Sequence, residues 1–152
     1  MLLPQIDPID QEIIRLLHDN GRMSYAKIGE TLNLSRVAIQ KRVEGLIADG
    51  IIENFTVRLN SARLGKYISA FFEVRVEPRF VEQAGNALAE EPEVISIYQM
   101  TGPSTLHMHA LLKDEEALET FLFQKIYTLE GVVNVDTHMV IKRFKQGTGL
   151  EL

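Results

Sequence analysis

Residues 24–50, SYAKIGETLNLSRVAIQKRVEGLIADG, decide how the chain is read. Tyr25, Ile28 and Leu32 recur at spacings of three and four, the mark of a short helix with one buried stripe. Asn33-Leu34 supplies a tight turn, and Ser35 is an N-cap for a second helix. Along that helix Ala38, Ile39, Val43, Leu46 and Ile47 are predicted to face inward, and Gly50 ends the run as a C-terminal cap does. Arg36, Val37, Gln40, Lys41 and Glu44 remain outside. Helix, tight turn and a second helix with a basic, polar face form the arrangement that enters a DNA groove. Its first turn offers donors to base edges and its cations meet phosphates. An ordinary helical hairpin also carries a polar outer face, but cap, turn and basic face occur together here.

Upstream, residues 7–18 carry Ile9, Ile13, Leu16 and Leu17 at helical spacing, with Asp7 as N-cap and Pro8 at the first helical position. Asn20-Gly21 stops that helix, so three helices fill residues 7–49. Downstream, Ile51-Ile52 and residues 55–59 read as a strand acting as a wing or hinge. The polar run 60–66, with Gly65, marks a domain boundary.

Beyond it the pattern changes to strand, helix, two strands, helix, strand. Residues 67–76, YISAFFEVRV, alternate, with Ile68, Ala70, Phe72, Val74 and Val76 on one face. Residues 78–91 read as a helix, 94–101 and 106–113 as strands joined by Gly102-Pro103-Ser104, 114–129 as a second helix and 132–145 as a final strand. The expected fold class is therefore α+β: an N-terminal winged helix-turn-helix over residues 5–60, then a ferredoxin-like βαββαβ domain over 65–146. Tyr67, Phe71, Tyr98 and Met100 fall on the sheet face that no helix covers. A second subunit is the simplest cover, so a homodimer or larger assembly is expected.

Charge distribution agrees with this division. The 152 residues carry a net charge of −5, yet residues 22–42 hold Arg22, Lys27, Arg36, Lys41 and Arg42 against Glu30 alone. Residues 61–152 hold nine Lys/Arg and thirteen Asp/Glu, an acidic remainder that limits non-specific adhesion to DNA. The chain has no Cys, which excludes disulfides, a thiol nucleophile and thiolate metal sites. Met1-Leu2-Leu3-Pro4 lacks the cationic start and apolar run of a signal peptide, and no apolar run reaches membrane-spanning length, so a cytoplasmic location is expected.

Five stretches together resemble the Lrp/AsnC (feast/famine) transcriptional regulators over almost the whole chain: DPIDQEIIRLLHDNGRMSY (7–25), LSRVAIQKRVEGLIADGII (34–52), ENFTVRLNSARLG (53–65), the TG of 101–102 and LEGVVNVDTHMVIK (129–142). The resemblance implies a winged helix-turn-helix head and a ferredoxin-like domain of the RAM type. That domain drives dimerisation and assembly into tetramers or octamers, and binds an amino acid or related metabolite between subunits. It implies an effector surface of Tyr98, Met100, Thr101, Gly102, Pro103, Ser104, Thr105 and His107, with Val135, Asp136 and Thr137 contributed by a neighbouring subunit. The family's turn is Gly-x-x-Asp; here Thr105 stands at the Asp position and supplies no carboxylate for an ammonium group. Phe55 and Ser61 replace a usual Tyr and Pro.

Within the DNA-reading segment, Arg36, Val37 and Gln40 occupy the first turn and a half of the helix and are expected at base edges. Ser24, Tyr25, Lys27, Ser35, Lys41 and Arg42 are expected towards phosphates or the helix start. Tyr25 is equally suited to the core, and Arg42 to a pair with Glu30 or Asp49. Two rival readings use the same fold: a sirohaem-decarboxylase-like enzyme, and a small-molecule receptor without DNA binding. The decarboxylases carry an aromatic, His- and Arg-rich stretch near the third strand, whereas YQMTGPSTLHMHALL (98–112) has no Arg. His107, His109, Asp136 and His138 suggest a metal set, but the topology interposes the first strand, separating them by about 10 Å. No catalytic constellation and no cofactor is expected.

Overall fold

Asp7 lies in extended backbone and its carboxylate accepts the Asp10 amide at 2.8 Å. That cap starts α1 (Pro8–Asp19), whose proline occupies a position where a missing amide costs nothing. The computed structural model describes residues 6–102 and 105–145, and the chain divides into two compact units, the second Leu59–Phe144 and the first the chain up to Arg58 together with Lys145.

In the first unit α1 is followed by α2 (Tyr25–Leu32) and α3 (Arg36–Ala48). The expected stripes meet in one core: Ile13, Leu16 and Leu17 from α1, Ile28 from α2, and Ile39, Val43 and Leu46 from α3. Ile47 departs from the expectation, since it is 43% exposed. Leu46 and Val43 already fill the inward stripe, and Ile47 is carried past its edge. Between α2 and α3, Asn33 takes the left-handed conformation at φ 55°. The close approach falls at Gly29, where a Cβ would stand 2.5 Å from the Leu34 carbonyl oxygen. At the other end of α3, the Ile51 amide donates to the Leu46 carbonyl (2.9 Å) and the Gly50 amide to that of Ile47 (3.0 Å). With Gly50 at φ 69°, this satisfies the last carbonyls of the helix.

The predicted wing strand does not form. Residues 53–60 join no ladder; Phe55, Val57 and Leu59 alternate with polar residues and stay exposed. The alternation is strand-like, but a strand needs a partner, and the described residues offer none.

The second unit holds β1 (Ile68–Val76), α4 (Val81–Ala89), β2 (Val94–Gln99), β3 (Thr105–Leu112), α5 (Glu115–Thr120) and β4 (Val132–Met139). The sheet order is β2-β3-β1-β4 with antiparallel neighbours throughout, the ferredoxin-like arrangement. Ala70, Phe72, Val74 and Val76 of β1 and Leu106, Met108, Ala110 and Leu112 of β3 face the helices. They pack with Val81, Ala84 and Leu88 of α4 and with Phe121 and Ile126.

Two elements differ from expectation. The helix predicted over 114–129 is α-helical only to Thr120 and widens to a π-turn at Phe121–Ile126. There the Tyr127 amide reaches back five residues to Leu122 (2.9 Å). β4 stops at Met139 rather than 145, because β1, its only neighbour among the described residues, begins at Ile68; the Val140 amide makes a last bond to Ser69 (2.8 Å).

Gly29→Ala is expected to destabilise the first unit by about 1–3 kcal/mol, because the added methyl meets a backbone oxygen that cannot rotate away. Circular-dichroism melts of the full chain measure this; an unchanged melting curve would mean that the α2–α3 turn opens freely.

Candidate nucleic-acid interface and effector surface

The exposed side of α3 is built by its capped start and its apolar stripe. Ser35 Oγ accepts the Ala38 amide at 3.1 Å, and Ser24 Oγ accepts that of Lys27 at 3.2 Å, so both serines fix helix starts. In these roles the oxygens act as acceptors, and each hydroxyl hydrogen remains to be donated outward. Val37 is 72% exposed, an apolar group with no core to enter. Arg36 and Lys41 are exposed and have no hydrogen-bond or ion-pair partner among the described residues. Gln40 is half-buried; its amide nitrogen donates to Glu44 Oε1 at 2.9 Å, which holds the amide one turn above its own carboxylate partner. Lys27 pairs with Glu30 at 3.0 Å, an exposed contact that water and salt readily exchange. Tyr25 is half-buried against the core and borders a shallow cleft with Leu17, Met23 and Phe55.

Arg42 requires a correction. One nitrogen of its guanidinium donates to Asp7 Oδ2 (2.7 Å) and Asp10 Oδ1 (2.8 Å). The partners are not Glu30 or Asp49 but two carboxylates at the start of α1, which offset its charge. Asp7 is thereby held below its ordinary pKa, first by the Asp10 amide and then by Arg42. Arg42 is raised by its bonds to Asp10 and Asp7. Neither partner was legible from spacing, since the pairs span 32 and 35 residues.

On the second unit, the sheet face opposite the helices carries polar and aromatic side chains in rows. Tyr98, His107, Glu73 and Asp136 stand opposite one another across β2, β3, β1 and β4. His107 Nδ1 lies 4.0 Å from Glu73 Oε1. In the next row Phe71 stacks on His109, centroids 4.3 Å apart, while His109 Nε2 shares a 2.8 Å hydrogen bond with Ser69 Oγ. Burial, then the nearby Arg143 cation, lowers the His109 pKa and favours the neutral ring.

Met100 and Thr101 lead into Gly102, at φ 127°, and the Met100 amide closes the turn on the Thr105 carbonyl at 3.0 Å. Pro103 and Ser104 lie outside the described residues. Val135 and Thr137 stand opposite Val74 and Phe72, on the helix-covered face; within one subunit they do not join Tyr98, His107 and Asp136. Glu73 was missed from the sequence. Its outward position in the alternating β1 pattern is the signal that finds it.

A capped three-helix head with a basic reading helix, joined to a four-stranded α+β domain, defines a DNA-binding regulator with a ligand domain. Residues 6–47 match the AsnC-type helix-turn-helix domain and residues 69–150 the Lrp/AsnC ligand binding domain. An HTH-type transcriptional regulator of Methanocaldococcus jannaschii is 35% identical over 97% of this chain and 99% of its own. Among solved structures, AsnC of E. coli is 25% identical at TM-score 0.87, covering 95% of this chain and 97% of that one. A Neisseria meningitidis transcriptional regulator in complex with L-Met is 23% identical at TM-score 0.89, covering 97% of each chain. The chain belongs to the Lrp/AsnC family and is a DNA-binding transcriptional regulator that responds to a small-molecule ligand. Among the described residues no helix is long and apolar enough to cross a membrane.

Arg42→Gln is expected to lower the melting temperature of the full chain at neutral pH while leaving the salt slope of DNA binding unchanged. The contribution of charged Asp7 is fully present above the ordinary aspartate pKa and is lost as pH falls through its depressed folded value. The difference between wild type and variant should therefore shrink in acid melts; a difference that persists there would assign Arg42 another role.

Proposed function

We propose that the protein binds pseudo-palindromic operator DNA as a homodimer, with α3 of each subunit in the major groove. The first unit would be a helix-turn-helix domain over residues 5–60, its 53–60 segment a hinge rather than a wing, and the second an assembly and effector domain over 65–146. The observation that carries this reading is the α3 face, where Arg36, Val37 and Lys41 are presented without internal partners beside Gln40. Arg36 reads a guanine edge, Gln40 an adenine, and Val37 packs on a thymine methyl. Lys41, with Lys27, Tyr25 and the hydroxyls of Ser24 and Ser35, contacts phosphates. Half-sites lie about one helical turn apart in such a dimer.

The open sheet face supports the dimer: Tyr67, Phe71, Tyr98 and Met100 are all exposed there. Dimers assemble further into tetramers or octamers. An amino acid or related metabolite, the class to which the L-Met of the Neisseria regulator belongs, binds near the 98–105 turn between subunits. Because Thr105 offers a hydroxyl where a carboxylate is usual, recognition of the ligand's ammonium group falls to other groups, of which Asp136 and Glu73 are on this face. The working compartment is the one that holds the DNA, the cytoplasm.

Fluorescence anisotropy across a salt series, on DNA upstream of the protein's own gene and on other genomic fragments, tests the reading. Arg36→Ala should cost about 1–3 kcal/mol and relax specificity at one base position. Lys41→Ala should weaken all sequences alike and reduce the salt slope by about one. An unchanged binding profile in Arg36→Ala would overturn the groove assignment.

A further inference from the structure

The second unit contains a cleft that neither the reading helix nor the 98–105 turn uses. It has a volume of about 370 Å³ and lies where β3 ends and α5 begins. Its floor is apolar, formed by Leu112, Ala117 and Phe121. Its rim carries both signs of charge. Lys113 and Lys125 are engaged by Asp114 (3.5 Å) and Glu91 (3.1 Å). The side chains of Lys66, Glu93 and Glu116 have no hydrogen-bond or ion-pair partner among the described residues, although Lys66 and Glu93 are half-buried. A ligand with both signs of charge would form there the ion pairs that the described residues do not supply.

The volume falls in the range of small-molecule sites, and the rim selects the chemistry. An anion without a positive group meets Glu93 and Glu116; a cation without a negative group meets Lys66. A molecule with both, and an apolar group for the floor, meets neither conflict. We propose that this cleft binds a small zwitterion with an apolar side group, the chemistry of an α-amino acid. Its carboxylate lies on Lys66, its ammonium on Glu93 or Glu116, and its side group on Leu112, Ala117 and Phe121.

A second feature falls at the same place. The π-turn begins at Phe121, a buried floor residue, and such wide turns recur where a helix is adapted to a binding function. Leu112 and Thr105 stand at opposite ends of β3, roughly 23 Å apart along the strand, so the cleft is not the turn surface. It is lined by a single chain, whereas the effector surface proposed above needs two. The two readings share a ligand class and differ in location, so each can fail alone.

The test is methyl NMR on the full-length protein with labelled Leu, Ala and Met, titrated with L-leucine, N-acetyl-L-leucine and L-leucine methyl ester. Leu112 and Ala117 should shift with L-leucine. Each blocked analogue, and the variants Lys66→Met and Glu93→Gln/Glu116→Gln, should weaken the response roughly tenfold. Lys66→Met keeps the stem, and an unperturbed Met100 resonance and melting temperature report that the fold is intact. Shifts at Met100 alone would overturn the cleft and keep the effector surface; shifts at Leu112 and Ala117 alone would do the reverse. Equal responses to the blocked analogues or in the variants would reduce the cleft to apolar adsorption and overturn the proposal. Silence at all three positions would overturn it as well.

Discussion

The absence of one side chain at Gly29 sets the geometry on which the DNA-reading head depends. The Leu34 carbonyl occupies the space a Cβ would need, so α2 and α3 meet at a distance available only to glycine. The Gly29 carbonyl in turn accepts the Leu34 amide, locking the turn in the direction that Asn33 starts. From there α3 is fixed twice more. Ile39, Val43 and Leu46 bury one side of it, and Arg42 ties it to the start of α1 through Asp7 and Asp10. With those constraints on one side, the opposite side is free for Arg36, Val37 and Lys41, and base readout requires such rigid presentation.

Asp7 carries two of these functions at once. One oxygen caps α1 by accepting the Asp10 amide, and the other accepts from Arg42. A carboxylate at a helix start is already favoured by the unpaired amides there, so it is well suited to hold a cation from another helix. The tie also offsets one cation of the head with two carboxylates. Positive charge within residues 22–42 is thus less freely available than its sequence sum implies.

Whatever repeats locally was legible in the sequence. The three- and four-residue spacing of Ile13, Leu16 and Leu17 and the alternation of Ala70, Phe72, Val74 and Val76 name core residues, because side-chain direction follows directly from helix or strand period. Caps were equally legible at Asp7, Ser35 and Gly50, since they depend on one residue type at one position. What escaped depends on distant or absent partners. Arg42 finds its carboxylates more than thirty residues away. The 53–60 segment has strand alternation but no strand beside it, and β4 ends where β1 does rather than where apolar residues end. The π-turn at Phe121–Ile126 has no compositional mark either, for its apolar spacing fits an α-helix just as well. At the effector surface, sequence named Tyr98, His107 and Asp136, and the strand register adds Glu73 between them.

How a ligand reaches the DNA heads is a question of differential affinity. A tenfold change in operator affinity needs about 1.4 kcal/mol of difference in ligand binding between two assembly states. A ligand held between subunits meets that requirement directly, because it binds only where two surfaces come together. One held in the Lys66–Glu93 cleft touches a single chain and must act through an element that moves. Phe121 is where such coupling would start, since it lies at once in the cleft floor and in the sheet–helix core. Exposed Phe123 and Tyr127 project from the same turn, with ring centroids 5.6 Å apart. A ligand seated on Phe121 therefore bears on the turn that carries both rings. A site inside one chain thus reaches the surface only through its own helix, whereas a site between subunits acts on their association directly.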